Sequence, residues 1–316
     1  EGNAAAAAFD AVGVFGTGGG DYQTDVEANA GTDYIVLTDA SYSGLSVVTP
    51  QGDLYIDPMT NSGLDSRPAS VTDDGRVLVY VAADKSLRQV VVEDWASKRY
   101  REFLLDDQLA WRNVAISKDG ARLAAITEEE NNLLYVFDLV SGNGRAFELY
   151  NPTFTQGIRT GDVLFADALE WDFSGQYVLY DARNRFLNAD GFIEYFDIGF
   201  LEAWDNTANT FGSGMIEKLF TTLPENVSVG NATFAKNSPY IIAIDLLNEL
   251  TNQSLTLGVN IETGDVGVLF ENEEGVIGYP SFSPKDDFLV LDTRLNGDAI
   301  VALVPLADDK LAPAGD

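Results

Sequence analysis

The segment NADGFIE sets oxygen-bearing side chains around a glycine, as cation-binding turns do. Asn188, Asp190 and Glu194 would supply the amide and carboxylate oxygens that Ca2+ prefers, with Gly191 at the tight turn. The spacing lacks the full ligand set of an EF-hand loop, so an ordinary surface turn accounts for the same residues. The segment is a candidate Ca2+ site, and we expect the protein to fold without a metal or an organic cofactor.

The residue types exclude several kinds of chemistry. The 316 residues contain no histidine and no cysteine, which rules out Ser-His-Asp triads, imidazole acid–base catalysis and disulfides. The chemistry that these exclusions leave available is that of carboxylates, hydroxyls and bound hard cations. Catalysis by paired carboxylates needs two groups roughly 5 to 10 Å apart, and among 50 acidic residues the sequence singles out no pair. We therefore assign no catalytic residue and favour a non-catalytic protein.

The chain is strongly acidic. Its 50 acidic and 19 basic residues give a formal net charge of −31 at pH 7. Nucleic-acid binding needs a basic surface, so we expect no nucleic-acid partner. The sequence has no apolar run of about 18 residues, so we expect no membrane span.

A polar turn followed by an apolar strand recurs along the chain. Its copies begin at Val71, Ile116, Trp171, Phe234 and Phe282, with a degenerate copy at Ala28. The starts are roughly 40 to 65 residues apart, which is the range of propeller blades, and runs such as LLYVFDL and LTLGVNI fill the intervals. Each interval has room for about four short strands and none for a helix. The prediction is an all-β, six-bladed propeller of four-stranded antiparallel blades, because a seventh blade would need a copy that the sequence does not show.

The turns also resemble those of a known family. ISKDG, FSPKD and VTDDG resemble the Ser-Pro-Asp-Gly signature of TolB-type, WD-repeat-like propellers, and LLYVFDLVSGNG and LGVNIETGDVG are similar to the hairpin that follows it. The resemblance spans residues 32–306, although WDFSG in the fourth copy and FAKNS in the fifth depart from the signature. It implies an architecture and no single activity, because such blades occur in translocation accessories, lipoproteins, peptidase gating domains and lyases.

The repeats also define the domain organisation. Residues 1–30 are predicted to form a flexible lead-in, since much of this segment is polar and rich in glycine, and residues 31–316 a single propeller domain. The last copy lacks an outermost strand, because the tail DDKLAPAGD contains proline and has no strand pattern. The apolar segment 8–16 of the lead-in is a candidate for that ring-closing strand.

A channel mouth is the first candidate binding site. In propellers of this resemblance, residues just before each repeat converge there. Four places before each copy the chain holds Arg67, Arg112, Asp167, Gly230 and Gly278. Arginine holds a carboxylate or phosphate with two parallel hydrogen bonds, so Arg67 and Arg112 would accept an acidic segment or terminal carboxylate of a partner. The alternative is that each arginine pairs with a nearby acid, such as Asp65 or Asp107, and serves only the channel rim.

Aromatic residues and insertions add to this set. Trp111 and Tyr279 adjoin the channel register and would stack on a partner or a sugar, although packing between blades explains them equally well. Trp204 lies in an insertion over residues 199–214, and residues 150–166 form a second insertion before the same blade. The candidate partner-binding residues are Arg67, Trp111, Arg112, Asp167, Trp204 and Tyr279.

Two functional classes follow. The first is a non-catalytic extracytoplasmic propeller, in the periplasm, on the cell surface or secreted, that binds a protein partner as a scaffold or accessory subunit of a bacterial envelope or surface complex. The second is a carbohydrate-active or peptidase-associated propeller that carries or gates an active site. The absence of histidine and of a catalytic signature favours the first.

Overall fold

The computed structural model describes residues 35–37, 45–49, 51, 53–56, 58–60, 69–152, 159–188, 191–220, 223–224, 226–272, 277–296 and 298–315. Within these ranges every regular element is a β-strand, and no helix that could cross a membrane occurs. The chain divides into two compact units, residues 25–147 and residues 148–316 together with 1–24. The proposed lead-in and the candidate closing strand at 8–16 lie outside the described residues, and the single domain over 31–316 stays a prediction.

The unit of residues 25–147 contains three antiparallel sheets, blades 1 to 3. Blade 1 has the strands β1 (Ile35–Leu37), β2 (Ser46–Val48) and β3 (Leu54–Ile56). Blade 2 has β4 (Ser70–Val71), β5 (Val77–Val81), β6 (Leu87–Asp94) and β7 (Arg99–Asp106). Blade 3 has β8 (Trp111–Ile116), β9 (Arg122–Thr127), β10 (Leu133–Asp138) and β11 (Asn143–Glu148).

The other unit contains blades 4 to 6. Blade 4 has β12 (Asn151–Pro152), β13 (Arg159–Trp171), β14 (Tyr177–Asn188), β15 (Gly191–Glu202) and β18 (Ile216–Lys218), with a small hairpin of β16 (Trp204–Asp205) and β17 (Thr210–Phe211) before β18. Blade 5 has β19 (Val227–Phe234), β20 (Ile241–Asn248), β21 (Gln253–Asn260) and β22 (Val266–Asn272). Blade 6 has β23 (Ile277–Phe282), β24 (Phe288–Leu295) and β25 (Asp298–Pro305). The predicted all-β, six-bladed propeller is confirmed.

The repeated turn joins the first and second strands of a blade through a paired hydroxyl and carboxylate. In blade 3, Ser117 Oγ accepts the amide five residues on at 2.9 Å and donates to Asp119 Oδ1 at 2.6 Å. In blade 4 the two residue types exchange places: Asp172 Oδ1 accepts the amide five residues on at 2.7 Å, and Ser174 Oγ donates to its Oδ2 at 2.6 Å. The departure of WDFSG from the signature is therefore a swap that preserves the hydrogen bonds of the turn.

The hydrophobic core lies between neighbouring blades of the same unit. Apolar side chains on facing strands form the clusters, because each blade alternates residues toward its two faces. The cluster between blades 4 and 5 includes Phe200, Phe220, Phe234, Ile244 and Leu257, all at most 2% exposed. Equivalent clusters lie between blades 5 and 6, between blades 1 and 2, and between blades 2 and 3.

Candidate functional site

In blades 3 to 6, the position four residues before the repeat lies at or beside a β-bulge in the first strand of the blade. The pairing with the second strand shifts between Trp111 and Asn113 in β8, Ala166 and Leu169 in β13, Gly230 and Thr233 in β19, and Gly278 and Ser281 in β23. A bulge leaves backbone groups free to point away from the ladder. The predicted residues Arg112, Asp167, Gly230 and Gly278 all lie at or beside these bulges, whereas Arg67 lies outside the described residues.

In blades 4 and 5 the bulge carries a hydrogen-bonded link between blades. Asp181 of β14 accepts the amide of Ala168 in its own blade at 2.8 Å and the amide of Asn231 in β19 at 2.7 Å. Asn231 reaches this position with φ of 50°. A Cβ at Gly230 would lie 2.5 Å from Asp181 Oδ2, so any larger residue there would have to displace this hydrogen-bonded carboxylate. The Asp181 carboxylate thus joins blade 4 to blade 5.

Asp245 of β20 repeats this link between blades 5 and 6. Its Oδ2 accepts the amide of Tyr279 at 3.1 Å and Asn231 Nδ2 at 2.9 Å, and its Oδ1 accepts the hydroxyl of Thr256 at 2.9 Å. Tyr279 is half-buried and has φ of 53°. Burial raises the pKa of Asp245 to about 7, against these hydrogen bonds, and repulsion from Asp292 adds to the rise.

Sequence reasoning missed these aspartates, although a signal was present. Asp181, Asp245 and Asp292 occupy the fifth position of the second strand in blades 4, 5 and 6. The same position holds Val81 in blade 2 and Ile126 in blade 3. The turn of blade 5 is one residue longer than the others, so Asp245 is shifted by one residue when the repeats are aligned by sequence. The amide of Ala235 bonds the carbonyl six residues on, whereas the equivalent amides of the other turns bond the carbonyl five residues on. Alignment by strand pairing reveals the shared position.

Arg112 and Trp111 have partners inside their own unit. Arg112 Nη2 lies 3.3 Å from the carbonyl oxygen of Glu128 and 3.9 Å from its carboxylate, and its side chain is 13% exposed. Trp111 is 1% exposed, packs edge-to-face on Tyr135, and donates Nε1–H to Asp106 at 2.8 Å. Glu128 is thus an acid beside Arg112, as the rim-pairing alternative requires of a neighbouring residue. The binding role of both residues stays a prediction, and the burial of Trp111 supports the packing explanation.

Trp204 is also buried. It is 3% exposed and packs edge-to-face on Phe211 within the β16–β17 hairpin, with ring centroids 5.3 Å apart. The amides of Ala203 and Trp204 both donate to the carbonyl of Gln176, which fixes the hairpin over the β13–β14 turn. The indole therefore anchors the insertion and presents little surface to a partner. Its predicted role in partner binding is untested. Asp167, the remaining candidate, is half-buried.

The candidate Ca2+ segment forms the connection of a tight hairpin. Asn188 pairs with Gly191 at the end of the β14–β15 ladder, so only two residues separate the strands. Glu194 forms an ion pair with Arg183, with Nη2 and Oε2 2.6 Å apart. Asp190 and the side chain of Asn188 lie outside what the structure describes, and the described side chains contain no group of three acids able to hold a metal. The Ca2+ role stays a prediction.

Blade 4 encloses a polar cluster that the sequence did not suggest. Lys218 of β18 forms a close ion pair with Asp197 of β15, which is 3% exposed. A cavity of about 10 Å3, at the lower limit of the space that can hold one water, adjoins the pair and is lined by Asn151 and Tyr180. Burial raises the pKa of Asp197, although Lys218 opposes the rise. Burial lowers the pKa of the Lys218 ammonium, but attraction to Asp197 outweighs it and the net shift is upward.

A long ribbon extends from the same blade. β13, β14 and β15 contain 12 or 13 residues each, whereas no strand of the other blades exceeds eight within the part of the chain that the structure describes. At the ribbon tip, Leu187 and Phe192 lie opposite each other in register and are 63% and 66% exposed, and Phe186, on the other face of the ribbon, is 39% exposed. Arg185 lies over the Phe192 ring at 5.1 Å and pairs with Asp162 at 3.2 Å. This apolar tip is an exposed surface of a kind that proteins use for contacts.

Comparison with known proteins supports the fold. No protein-family profile and no curated protein match the sequence. TolB from Acinetobacter baumannii has 15% identity and a TM-score of 0.56 over 86% of this chain and 60% of its own length. An oligogalacturonate lyase from Vibrio parahaemolyticus has 12% identity and a TM-score of 0.45 over 84% of each chain, and a functionally unknown protein from Desulfotomaculum acetoxidans has 13% and 0.47 over 90% of this chain and 78% of its own.

The likeness to TolB bears on architecture alone. At 15% identity, two chains share a fold without any implied activity. This chain spans 60% of the length of the TolB structure. The blades and their turn motifs agree with the resemblance noted in the sequence. The chain has a TolB-like, six-bladed β-propeller.

Proposed function

We propose that the protein is a non-catalytic, extracytoplasmic propeller that binds a protein partner through the ribbon of blade 4. The observation that carries the proposal is the exposed apolar tip formed by Phe186, Leu187 and Phe192. A binding surface built on an extended hairpin keeps the partner at the periphery of the blade and leaves its packed core undisturbed. The proposed role is that of a scaffold or accessory subunit of a bacterial envelope or surface complex.

The ribbon suits this role because it is rigid below its tip. Twelve consecutive residue pairs join β14 to β15, and β13 pairs with β14 from Val178 to Arg185. The ion pairs of Arg183 with Glu194 and of Arg185 with Asp162 cross these strands. A preorganised surface loses little conformational entropy on binding, so a modest apolar patch on such a base can still give useful affinity.

The test is recovery of partners from the native source. The tagged wild type is compared with a double variant, Leu187→Ser and Phe192→Ser, in quantitative affinity capture after mild crosslinking. Its matched control is Val140→Ser with Leu250→Ser, because these two residues are 83% and 77% exposed in turns of other blades. We expect the ribbon variant to lose a specific partner about tenfold or more while the control retains it and both melt as the wild type does. Equal recovery by all three proteins would refute the role of the ribbon.

Localisation is tested separately. Cell fractionation of the native host, with a known cytosolic enzyme followed in parallel, should place the protein in the periplasmic, surface or secreted fraction. Co-fractionation with the cytosolic enzyme would contradict the extracytoplasmic proposal and leave the ribbon proposal intact.

A further inference from the structure

The outer edge of β15 is open over most of its length. β14 pairs with β15 from Gly191 to Glu202, but on the other side β18 pairs only with the stretch from Gly199 to Leu201. In blade 5, by contrast, the fourth strand pairs with the third along six positions. Among the described residues, no strand lies beside residues 191–195 on that outer side, and β19 approaches the edge at Phe196. An open strand edge is a template for another extended chain.

The direction of the backbone groups along this edge follows from the bonds at its lower end. The carbonyl of Ile198 accepts the amide of Leu219, and the amide of Phe196 donates to Ser228 Oγ at 3.2 Å. Even-numbered residues of β15 therefore point outward, and the regular pairing with β14 continues this alternation to Phe192 and Glu194. No described residue hydrogen-bonds the outward backbone groups of Phe192 and Glu194.

The side chains beside the edge define what would fit it. Phe192, Glu194 and Phe196 share one face of β15, since side chains alternate along a strand. Glu194 already pairs with Arg183 through Oε2, so a basic side chain of an added strand would share the carboxylate through Oε1. Directly opposite residues of an added strand share that face, so an apolar, a basic and an apolar side chain at alternate positions would complement these three. The carboxylate of Glu249, which accepts the hydroxyl of Ser228 at 2.9 Å, lies at the lower end of the same edge. The chain as a whole, at −31, attracts basic segments.

We infer that the open edge of β15 at Phe192 and Glu194 takes up an extended partner segment with the pattern apolar-x-basic-x-apolar as an added antiparallel strand. This inference rests on the proposed function and specifies the partner chemistry. A second copy of this chain is a poorer occupant, because two molecules of charge −31 repel each other. A two-fold pairing centred on Glu194 would also set that carboxylate opposite itself.

The probe is a capped, fluorescently labelled peptide with the core Leu-Thr-Lys-Thr-Val, measured by anisotropy against the full chain. Glu194→Pro removes one outward amide, and Glu194→Ala is the matched control that removes the same carboxylate and keeps the amide. We expect Glu194→Ala to weaken binding a few-fold and Glu194→Pro to weaken it at least about tenfold further. A peptide with Glu in place of Lys should bind more weakly than the parent, and this preference should reverse in Glu194→Lys.

Two further measurements make the result decisive. If Glu194→Pro lowers the melting temperature, the variant is replaced in the test by a peptide that is N-methylated on its pairing amides. This peptide should fail to bind the wild-type protein. Equal affinity of the Pro and Ala variants, equal affinity of the methylated peptide, or no binding of the parent peptide overturns the inference. A concentration-dependent dimer in light scattering that Glu194→Pro abolishes also overturns it, in favour of a second copy. The proposed function fails only if Leu187→Ser with Phe192→Ser leaves partner capture unchanged, so the two failures are distinguishable.

Discussion

Replacing Asp245 by asparagine should change how stability depends on pH. Burial raises the pKa of this carboxyl to about 7, while an aspartate in the unfolded chain titrates near 3.8. The folded protein therefore holds the proton more tightly than the unfolded chain. Stability contributed by this group is full at low pH, falls as pH rises between these two values, and levels off above pH 7. The Asp245→Asn side chain cannot ionise, so this decline disappears.

The hydrogen-bonding groups around residue 245 can accommodate an asparagine side chain. Its oxygen can accept from Asn231 Nδ2 and from the amide of Tyr279, as Oδ2 of Asp245 does. Its nitrogen can donate to Thr256 Oγ1, because a hydroxyl both donates and accepts. The substitution thus resembles the protonated acid in shape and in hydrogen bonding. The variant should match the wild type only below about pH 4, and at pH 5.5, above the unfolded pKa near 3.8, it should already be more stable by up to roughly 2 kcal/mol.

The magnitude follows from the pKa. Each pKa unit corresponds to about 1.4 kcal/mol, and the range from pH 5.5 to 7 gives roughly 2 kcal/mol. This figure is an upper value because Asp245 is only half-buried by exposed area, and solvent screens part of the effect. Starting at pH 5.5 keeps the protein well above its isoelectric point of about 4.1, where aggregation would interfere.

The assay is urea unfolding of the wild type and the variant at pH 5.5, 6.5, 7.5 and 8. The variant should gain stability relative to the wild type by up to roughly 2 kcal/mol across this range. Asp181→Asn is the control, because both oxygens of Asp181 accept backbone amides, from Ala168 and Asn231, and an amide nitrogen there faces a donor. It should cost about 1 to 3 kcal/mol. A stability difference between Asp245→Asn and the wild type that is constant with pH would refute the reasoning.

Three further predictions concern other parts of the chain. Lys218→Met leaves the Asp197 carboxylate buried without its cation, and urea unfolding should show that the free energy of unfolding falls by about 3 to 5 kcal/mol. Adding Asp197→Asn should restore part of this stability, and a loss below about 1 kcal/mol in the single variant would contradict the buried pair. EDTA should leave the melting temperature unchanged, whereas a drop of several degrees that Ca2+ reverses would establish a structural site at residues 188–194. Deleting residues 1–20 should lower the melting temperature if this segment supplies the ring-closing strand, and an unchanged value would exclude that role.

The sequence predicted the fold well because blade formation depends on local signals. Turn chemistry such as Ser117 with Asp119, and the alternation of short apolar strands, recur often enough to be seen without tertiary information. The exchange in blade 4, where Asp172 takes the place of the serine and Ser174 that of the aspartate, looks like decay in a letter-by-letter comparison. Only the hydrogen-bond geometry reveals that the pair is intact.

The candidate sites were harder to predict because they depend on packing between strands that are distant in sequence. The repeats singled out a register that coincides with the bulges, but they could not show that Trp111 packs on Tyr135 or that Arg112 lies beside Glu128. The open edge of β15 depends on how far β18 extends, which no periodicity specifies. The insertions around blade 4 did point to the blade that differs most from the others, although the most exposed aromatic side chain of that blade is Phe192 rather than Trp204.

The carboxylate links between blades have a consequence for how the protein comes apart. In many repeat proteins each unit contacts its neighbours mainly through apolar surface, so terminal units can fray one at a time. Here Asp181 ties blade 4 to blade 5, and Asp245 ties blade 5 to blade 6, each through a backbone amide of the following blade. Opening any one of these three blades therefore leaves a polar group of a neighbouring blade without its hydrogen-bond partner. Blades 4 to 6 should exchange their amide hydrogens as one cooperative block, with Asn231 and Tyr279 among its slowest positions.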